Sequence, residues 1–158
     1  MFMDIAEVVA KRSACLRNNV GAVIVNEGNN IVAIGYNGPA AGVPECTHEK
    51  CHAGCDIAIH AEDNAILRMP DYEYELEVGY NNPIDRVGTI NGRLKSHRLF
   101  CTVSPCMGCA KLIENRGDIK EVYYRYEYRE KAGIWYLLSK GIKVYQILSG
   151  GIINEQKL

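Results

Sequence analysis

No stretch of these 158 residues approaches the roughly 18 consecutive apolar positions that a membrane-spanning helix needs, so no membrane partner is expected. An excess of either charge is also missing. The chain carries 18 basic and 19 acidic residues, a formal net charge of -1, and no basic stripe, which argues against nucleic acid as a partner. Internal repeats and low-complexity segments are absent. The opening Met1-Phe2-Met3-Asp4-Ile5-Ala6-Glu7 lacks the basic segment and following apolar stretch of a secretory leader, and the expected location is the cytoplasm. Cysteine, in contrast, is plentiful. In a reducing compartment seven cysteines read as metal ligands and core thiols sooner than as disulfides.

The length suits a single domain over residues 1–158. Ile5, Val8 and Val9 predict a first helix over Met3–Ser13 with that stripe inward. Two strands follow, Val20–Asn26 and Ile31–Tyr36, joined by the turn Glu27-Gly28-Asn29-Asn30. A helix is expected from His60 to Met69, stopped by Pro70. Between 71 and 94, Tyr72, Tyr74, Leu76 and Val78 alternate with glutamates, and Asn91-Gly92 is a tight-turn dipeptide, which predicts an inserted hairpin arm. Leu99–Val103, Glu121–Tyr128 and Ile142–Leu148 read as strands, separated by helices to Asn115 and over Arg129–Ser139. Five strands alternating with helices give an α/β fold, a sheet with helices on both faces. Trp135 is read as core or interface, His97 as a surface residue, and Cys101 as core. Tyr124, Tyr126 and Tyr128 fall on one strand face and Tyr123 on the other.

The densest chemistry lies in His60-Ala61-Glu62 and, about forty residues on, Pro105-Cys106-Met107-Gly108-Cys109. His60, Cys106 and Cys109 supply three zinc ligands, and a catalytic zinc keeps its fourth position for water. Cys106 falls where a strand gives way to a helix, with Pro105 suited to the first helical turn, and the helix start favours thiolate over thiol. His60 and Glu62, two apart, converge on one centre only if the motif occupies a first turn. Two thiolates, a neutral imidazole and hydroxide would leave zinc with a net charge of -1, which the helix starts offset. The hydroxide can attack an sp² carbon bearing an exocyclic amine while Glu62 moves the protons. A structural zinc knuckle is the alternative.

The pattern H-x-E then P-C-x-x-C is the signature of the zinc deaminases. Its surroundings, Val20-Gly21-Ala22-Val23-Ile24-Val25, Gly35-Tyr36-Asn37-Gly38, Ile59 to Ile66 and Ser104 to Ile113, resemble the deoxycytidylate (dCMP) deaminases over about Met3 to Leu148, apart from the arm. The resemblance implies a three-layer α/β/α sandwich of the cytidine deaminase type with a mixed five-stranded sheet. It also implies zinc-dependent conversion of dCMP to dUMP and ammonia, supplying dUMP for dTMP synthesis. Asn37 would bond the sugar or base, Ala61 would lie under the pyrimidine, and Ser104 would border the pocket. A homohexamer activated by dCTP and inhibited by dTTP with magnesium is implied too, with Tyr36, Asn37, Gly38 and Gly42 as effector contacts. Asp63 stands where the family commonly has an uncharged residue.

Family members with an extra zinc place a cysteine after the first helix, matched here by Cys15. With Cys46, Cys51 and Cys55 it predicts a closed four-cysteine zinc site, in which His48 or His52 can replace one thiol. Free thiols in a loop are the alternative reading. For a 5′-phosphate the candidate cations are Arg17, Lys111 and Arg125. Other functions kept open are a bifunctional dCMP/dCTP deaminase, a polynucleotide-editing deaminase, which the charge balance disfavours, and a non-catalytic zinc module.

Overall fold

The computed structural model describes residues 1–15, 18–40, 42–43, 57–70, 74–79 and 89–158. In chain order the elements are α1 (Phe2–Ala10), β1 (Gly21–Asn26), β2 (Ile31–Tyr36), β3 (Gly38–Pro39), β4 (Ala58–Ile59), α2 (Ala61–Ile66), β5 (Tyr74–Gly79) and β6 (Thr89–Leu94). There follow β7 (His97–Val103), α3 (Met107–Arg116), β8 (Ile119–Tyr126), α4 (Ala132–Ser139), β9 (Lys143–Ile147) and β10 (Ile153–Glu155). The main sheet has the order β10-β9-β8-β7-β1-β2. Strands β7, β8 and β9 are parallel, while β1, β2 and β10 run antiparallel to their neighbours. Six strands thus replace the expected five. The addition, β10, has three exposed residues, so it carries no alternation of burial to read.

Helices cover both faces. Ala22, Ile24, Leu99, Cys101, Val122, Tyr124 and Val144 face α2, α3 and α4, which contribute Ala61, Ala65, Ala110, Ile113, Ile134 and Leu137. On the other face Val23, Val25 and Phe100 lie under Met3, Ala6 and Val9 of α1. There Phe2, Phe100, Tyr123 and Tyr145 form a row of rings with successive centroids 5.3, 4.6 and 4.8 Å apart. Because β1 is buried on both sides it reads as an unbroken apolar run. The expected stripe on α1 is rotated: Met3, Ala6, Val9 and Ala10 are buried and Val8 is exposed. Small side chains on that face let the backbone of Ala6 lie against Gly21.

Four further expectations are corrected. Asn91 and Gly92 are not a turn; they pair within the β5–β6 ladder with Glu77 and Leu76. Pro105 precedes the cap of α3, which is Cys106 itself. Of the two readings of Trp135, core and interface, the core one is excluded, since it is 58% exposed in the single chain. His97 is only 2% exposed, because the fully buried Asp118 lies beside it: His97 Nδ1 is 3.5 Å from Asp118 Oδ2, and the His97 amide donates to the Asp118 carbonyl at 2.8 Å. Arg116 completes this cluster, with its Nε 3.2 Å from both Asp118 carboxylate oxygens and its Nη2 donating to the Pro70 carbonyl. The network joins the ends of α2 and α3 to the starts of β7 and β8. Tyr124 is fully buried, whereas Tyr126 is exposed at the end of its strand.

Two close approaches locate the chemistry-bearing helix starts. A Cβ on Gly35 would strike the Ala61 carbonyl and the Ala65 amide nitrogen, so α2 rests directly on β2. Likewise a Cβ on Gly133 of α4 would meet the Pro105 carbonyl and the backbone of Cys106. Only glycine permits either contact.

Candidate active site

His60 and Cys106 each cap a helix from an extended conformation, at φ -71°, ψ 158° and φ -70°, ψ 172°. The His60-Ala61-Glu62 motif therefore straddles a helix start, the arrangement that lets residues two apart face one centre. His60 Nδ1 lies 3.2 Å from Cys109 Sγ and 3.5 Å from Cys106 Sγ, and the two sulfurs are 3.6 Å apart. A tetrahedral zinc with arms of about 2.3 Å to sulfur and about 2.0 Å to nitrogen separates its ligands by roughly 3.5–3.8 Å. The triangle matches one zinc to within a few tenths of an ångström, and the imidazole and thiol donors suit that metal.

The electrostatics of the metal-free cluster are those of three groups sharing protons. Hydrogen bonds from the Cys109 thiol and then the His60 ring draw the Cys106 thiol down to about 3, so it is a thiolate. Its bond to that thiolate raises His60 to about 9 against the opposing effect of burial. As donor to Cys106, and buried, Cys109 is pushed far up. A bound zinc displaces both shared protons, which ties its affinity to pH.

Glu62 is 4% exposed, and burial pushes its carboxyl up to about 7. It lines a cavity of 380 Å³ together with Cys15, Asn18, Val20, Asn37, Ala58, His60, Ala61, Val103, Ser104, Cys106, Tyr128 and Arg129. That size suits a small-molecule ligand. The cavity opens at the carboxyl end of β7, where α/β sheets gather their ligands.

Of the residues singled out in the sequence, Asn37, Ala61 and Ser104 line this cavity. Asn37 Oδ1 already accepts from the Val20 amide at 2.8 Å and the Ser13 hydroxyl at 2.7 Å, and its Nδ2 donates to the Asn18 carbonyl at 2.8 Å. One N–H of its side-chain amide is left to offer. The Ser104 hydroxyl accepts from the Tyr128 amide at 2.7 Å, which draws the segment after β8 into the wall. Arg125 is placed elsewhere: on β8 it faces α1 and pairs with Asp4 and Glu7, each at 3.4 Å. Lys111 is exposed on α3 and does not line the cavity. Tyr36 also lies outside it, its carbonyl accepting from Asn64 Nδ2 at 2.8 Å and its ring 5.9 Å from the Arg68 guanidinium carbon. Gly38 pairs with Ile59 in the β3–β4 bridge, and Gly42 is exposed with φ 84°. Arg17, Cys46, His48, Cys51, His52 and Cys55 lie outside the described residues.

Among the cavity residues that the sequence reading did not assign to the site are two neighbours with polar side chains, Tyr128 and Arg129. The Arg129 guanidinium carbon sits 5.6 Å from the Tyr128 ring centroid. Their signal was positional: both follow directly on a parallel strand, at its carboxyl end.

Comparison with known proteins gives concordant matches. The family model described as the cytidine and deoxycytidylate deaminase zinc-binding region matches residues 1–126. The deoxycytidylate deaminase of Schizosaccharomyces pombe is 35% identical over 138 residues, covering 80% of this chain and 36% of that protein. That of Saccharomyces cerevisiae is 33% identical over 155 residues, covering 92% of this chain and 43% of that protein. The chain thus spans less than half the length of either relative. The crystal structure of dCMP deaminase from the cyanophage S-TIM5 in complex with dCMP and dUMP is similar at a TM-score of 0.71, with 34% identity, 92% of this chain and 93% of that one covered.

Proposed function

The chain belongs to the cytidine and deoxycytidylate deaminase family, and on that premise we propose that it is a zinc-dependent hydrolase converting dCMP and water to dUMP and ammonia. The observation that carries the reading is the triangle of His60, Cys106 and Cys109 opening on a cavity that also holds Glu62. His60 Nδ1 and the two thiolates would hold zinc, which when bound supplies the Lewis acidity that ionises water near neutral pH. Glu62, raised to about 7 by burial, is poised to both accept and release a proton at that pH. It takes a proton from water, gives it to the ring nitrogen beside the reacting carbon, and passes a second to the departing amine. The water oxygen stays on the ring carbon.

Ala61, fully buried in the cavity wall, offers a flat contact to a pyrimidine, and the free N–H of Asn37 is available to a ligand acceptor. Among the described residues, Arg129 is the one guanidinium or ammonium lining the cavity, and it is the phosphate contact in this reading. The crystallised neighbour that holds dCMP and dUMP supports a mononucleotide substrate. The finer parts of the proposal follow from family membership. These are dCTP activation and dTTP inhibition with magnesium around Tyr36, Asn37, Gly38 and Gly42, a homohexamer, a cytoplasmic location, and a second zinc shared by Cys15, Cys46, Cys51 and Cys55. Among the described residues no helix is long and apolar enough to cross a membrane.

Incubation with dCMP, dCTP, cytidine and single-stranded DNA, with ammonia as the readout, tests the reaction. Release from dCMP above the others is expected; no release from any of them by zinc-loaded protein overturns the reading.

A further inference from the structure

Just beyond α1, Ser13 is half-buried and does not line the cavity, yet its hydroxyl reaches residues that do. It lies 2.7 Å from the Asn37 side-chain oxygen and 2.8 Å from the Asn37 carbonyl, sharing its one proton between them, and it accepts from the Cys15 amide at 3.1 Å. A serine near a helix end usually bonds backbone within a few residues of itself. Here both acceptors lie 24 positions along the chain. Among the described residues Ser13 is the one side chain bonded to Asn37, since the other partners of that amide, Val20 and Asn18, offer backbone groups. Cys15, Asn18, Val20 and Asn37 all line the cavity, so Ser13 stands directly behind its wall.

These bonds decide what a ligand meets. A side-chain amide can present its oxygen or its nitrogen with almost no change of shape. With the Val20 amide and the Ser13 hydroxyl both on Oδ1, the two lone pairs of that oxygen are taken, and Asn37 has only an N–H to offer. We infer that Ser13 is a positioning residue for substrate, whose hydroxyl keeps Asn37 a pure donor so that the ligand is held there through an acceptor oxygen. This rests on the reading of the cavity as the dCMP site.

The test measures steady-state deamination of dCMP by zinc-loaded wild type, Ser13→Ala, Ser13→Thr, Asn37→Ala and the double variant Ser13→Ala/Asn37→Ala, with a thermal melt of each. Loss of the hydroxyl is expected to raise KM roughly three- to tenfold, the worth of one hydrogen bond, and to leave kcat within about twofold. Ser13→Thr, which keeps the hydroxyl, restores the wild-type KM. Because Ser13 acts through Asn37, the double variant has the KM of Asn37→Ala alone. Should the alanine variant melt below the assay temperature, Ser13→Cys, of similar volume and with a weak thiol donor, carries the same expectation. A wild-type KM without the hydroxyl overturns the inference, and so do losses that multiply in the double variant. A wild-type protein that releases no ammonia from dCMP overturns the substrate reading itself, and this inference with it.

Discussion

Replacing Gly133 by alanine should empty the metal centre without changing the identity of any ligand. The added Cβ would lie 2.9 Å from both the carbonyl carbon and oxygen of Cys106 and would also strike the Pro105 carbonyl, whereas ordinary contact begins near 3.4 Å. The Pro105–Cys106 junction must therefore retreat by about half an ångström or more, and zinc ligation tolerates displacements of about 0.2 Å. Overpacking of this kind costs about 1–3 kcal/mol. In a chain of this size each kcal/mol lowers the melting temperature by about 2–4 °C. Zinc per subunit by mass spectrometry, a thermal melt and ammonia release from dCMP should all fall, the last by roughly a hundredfold if the ligand moves by about an ångström. Gly108→Ala is the control: it lies between the same two cysteines, yet its Cβ meets only Cys106 Sγ, at 3.8 Å. Wild-type zinc content and melting temperature in Gly133→Ala would refute the idea that this contact holds Cys106 in place.

Asp118→Asn should destabilise the fold by about 3–5 kcal/mol, since it leaves Arg116 facing a neutral partner at a fully buried position; urea denaturation checks it, and a loss under about 1 kcal/mol contradicts the role of the cluster. Glu62→Gln should cut turnover of dCMP by about 10²- to 10⁴-fold while zinc content stays unchanged. The same variant tests the sign of the burial effect in metal-free protein. Glu62 is raised in the folded state from an ordinary 4.5 to about 7, so its protonated form favours folding below pH 4.5 and that contribution is lost as pH rises to 7. The difference corresponds to about 3 kcal/mol, so Glu62→Gln should be the more stable protein above pH 7 and lose that advantage in acid; a pH-independent difference in urea midpoint contradicts this. Arg129→Ala should raise KM for dCMP about tenfold or more and leave deoxycytidine turnover unaffected, and equal losses on both substrates would remove Arg129 from phosphate recognition.

The chemistry was legible because it is local. His60-Ala61-Glu62 and Cys106 to Cys109 each sit on a helix start, and a spacing along a chain survives intact into a first turn. The strands β1, β2 and β7 were also plain, as short apolar runs between turn residues. What escaped depends on tertiary context. His97 looked like a surface residue because its partner, Asp118, lies across a parallel strand pair, and no periodicity reports such a contact. Arg125 and Arg129 flank the end of one strand, and both have acidic neighbours at 3.4 Å, Asp4 and Glu7 for the first and Glu130 for the second; only the tertiary fold, which turns Arg125 onto α1 and Arg129 into the cavity wall, separates them. Asn91-Gly92 carries hairpin-turn chemistry, yet the register set by Glu75↔Arg93 and Tyr74↔Leu94 absorbs it into a strand.

The small β3–β4 bridge pairs Gly38 with Ile59 and Pro39 with Ala58, and His60 is the next residue. The chain between Pro39 and Ala58 thus leaves and returns at one fixed point. Closing a loop costs free energy that grows only logarithmically with its length, about 0.6 kcal/mol for each doubling. The bridge therefore fixes where the cap of α2 begins at a cost that depends little on the length of chain it closes, and it holds His60 from the side opposite to the helix that His60 starts.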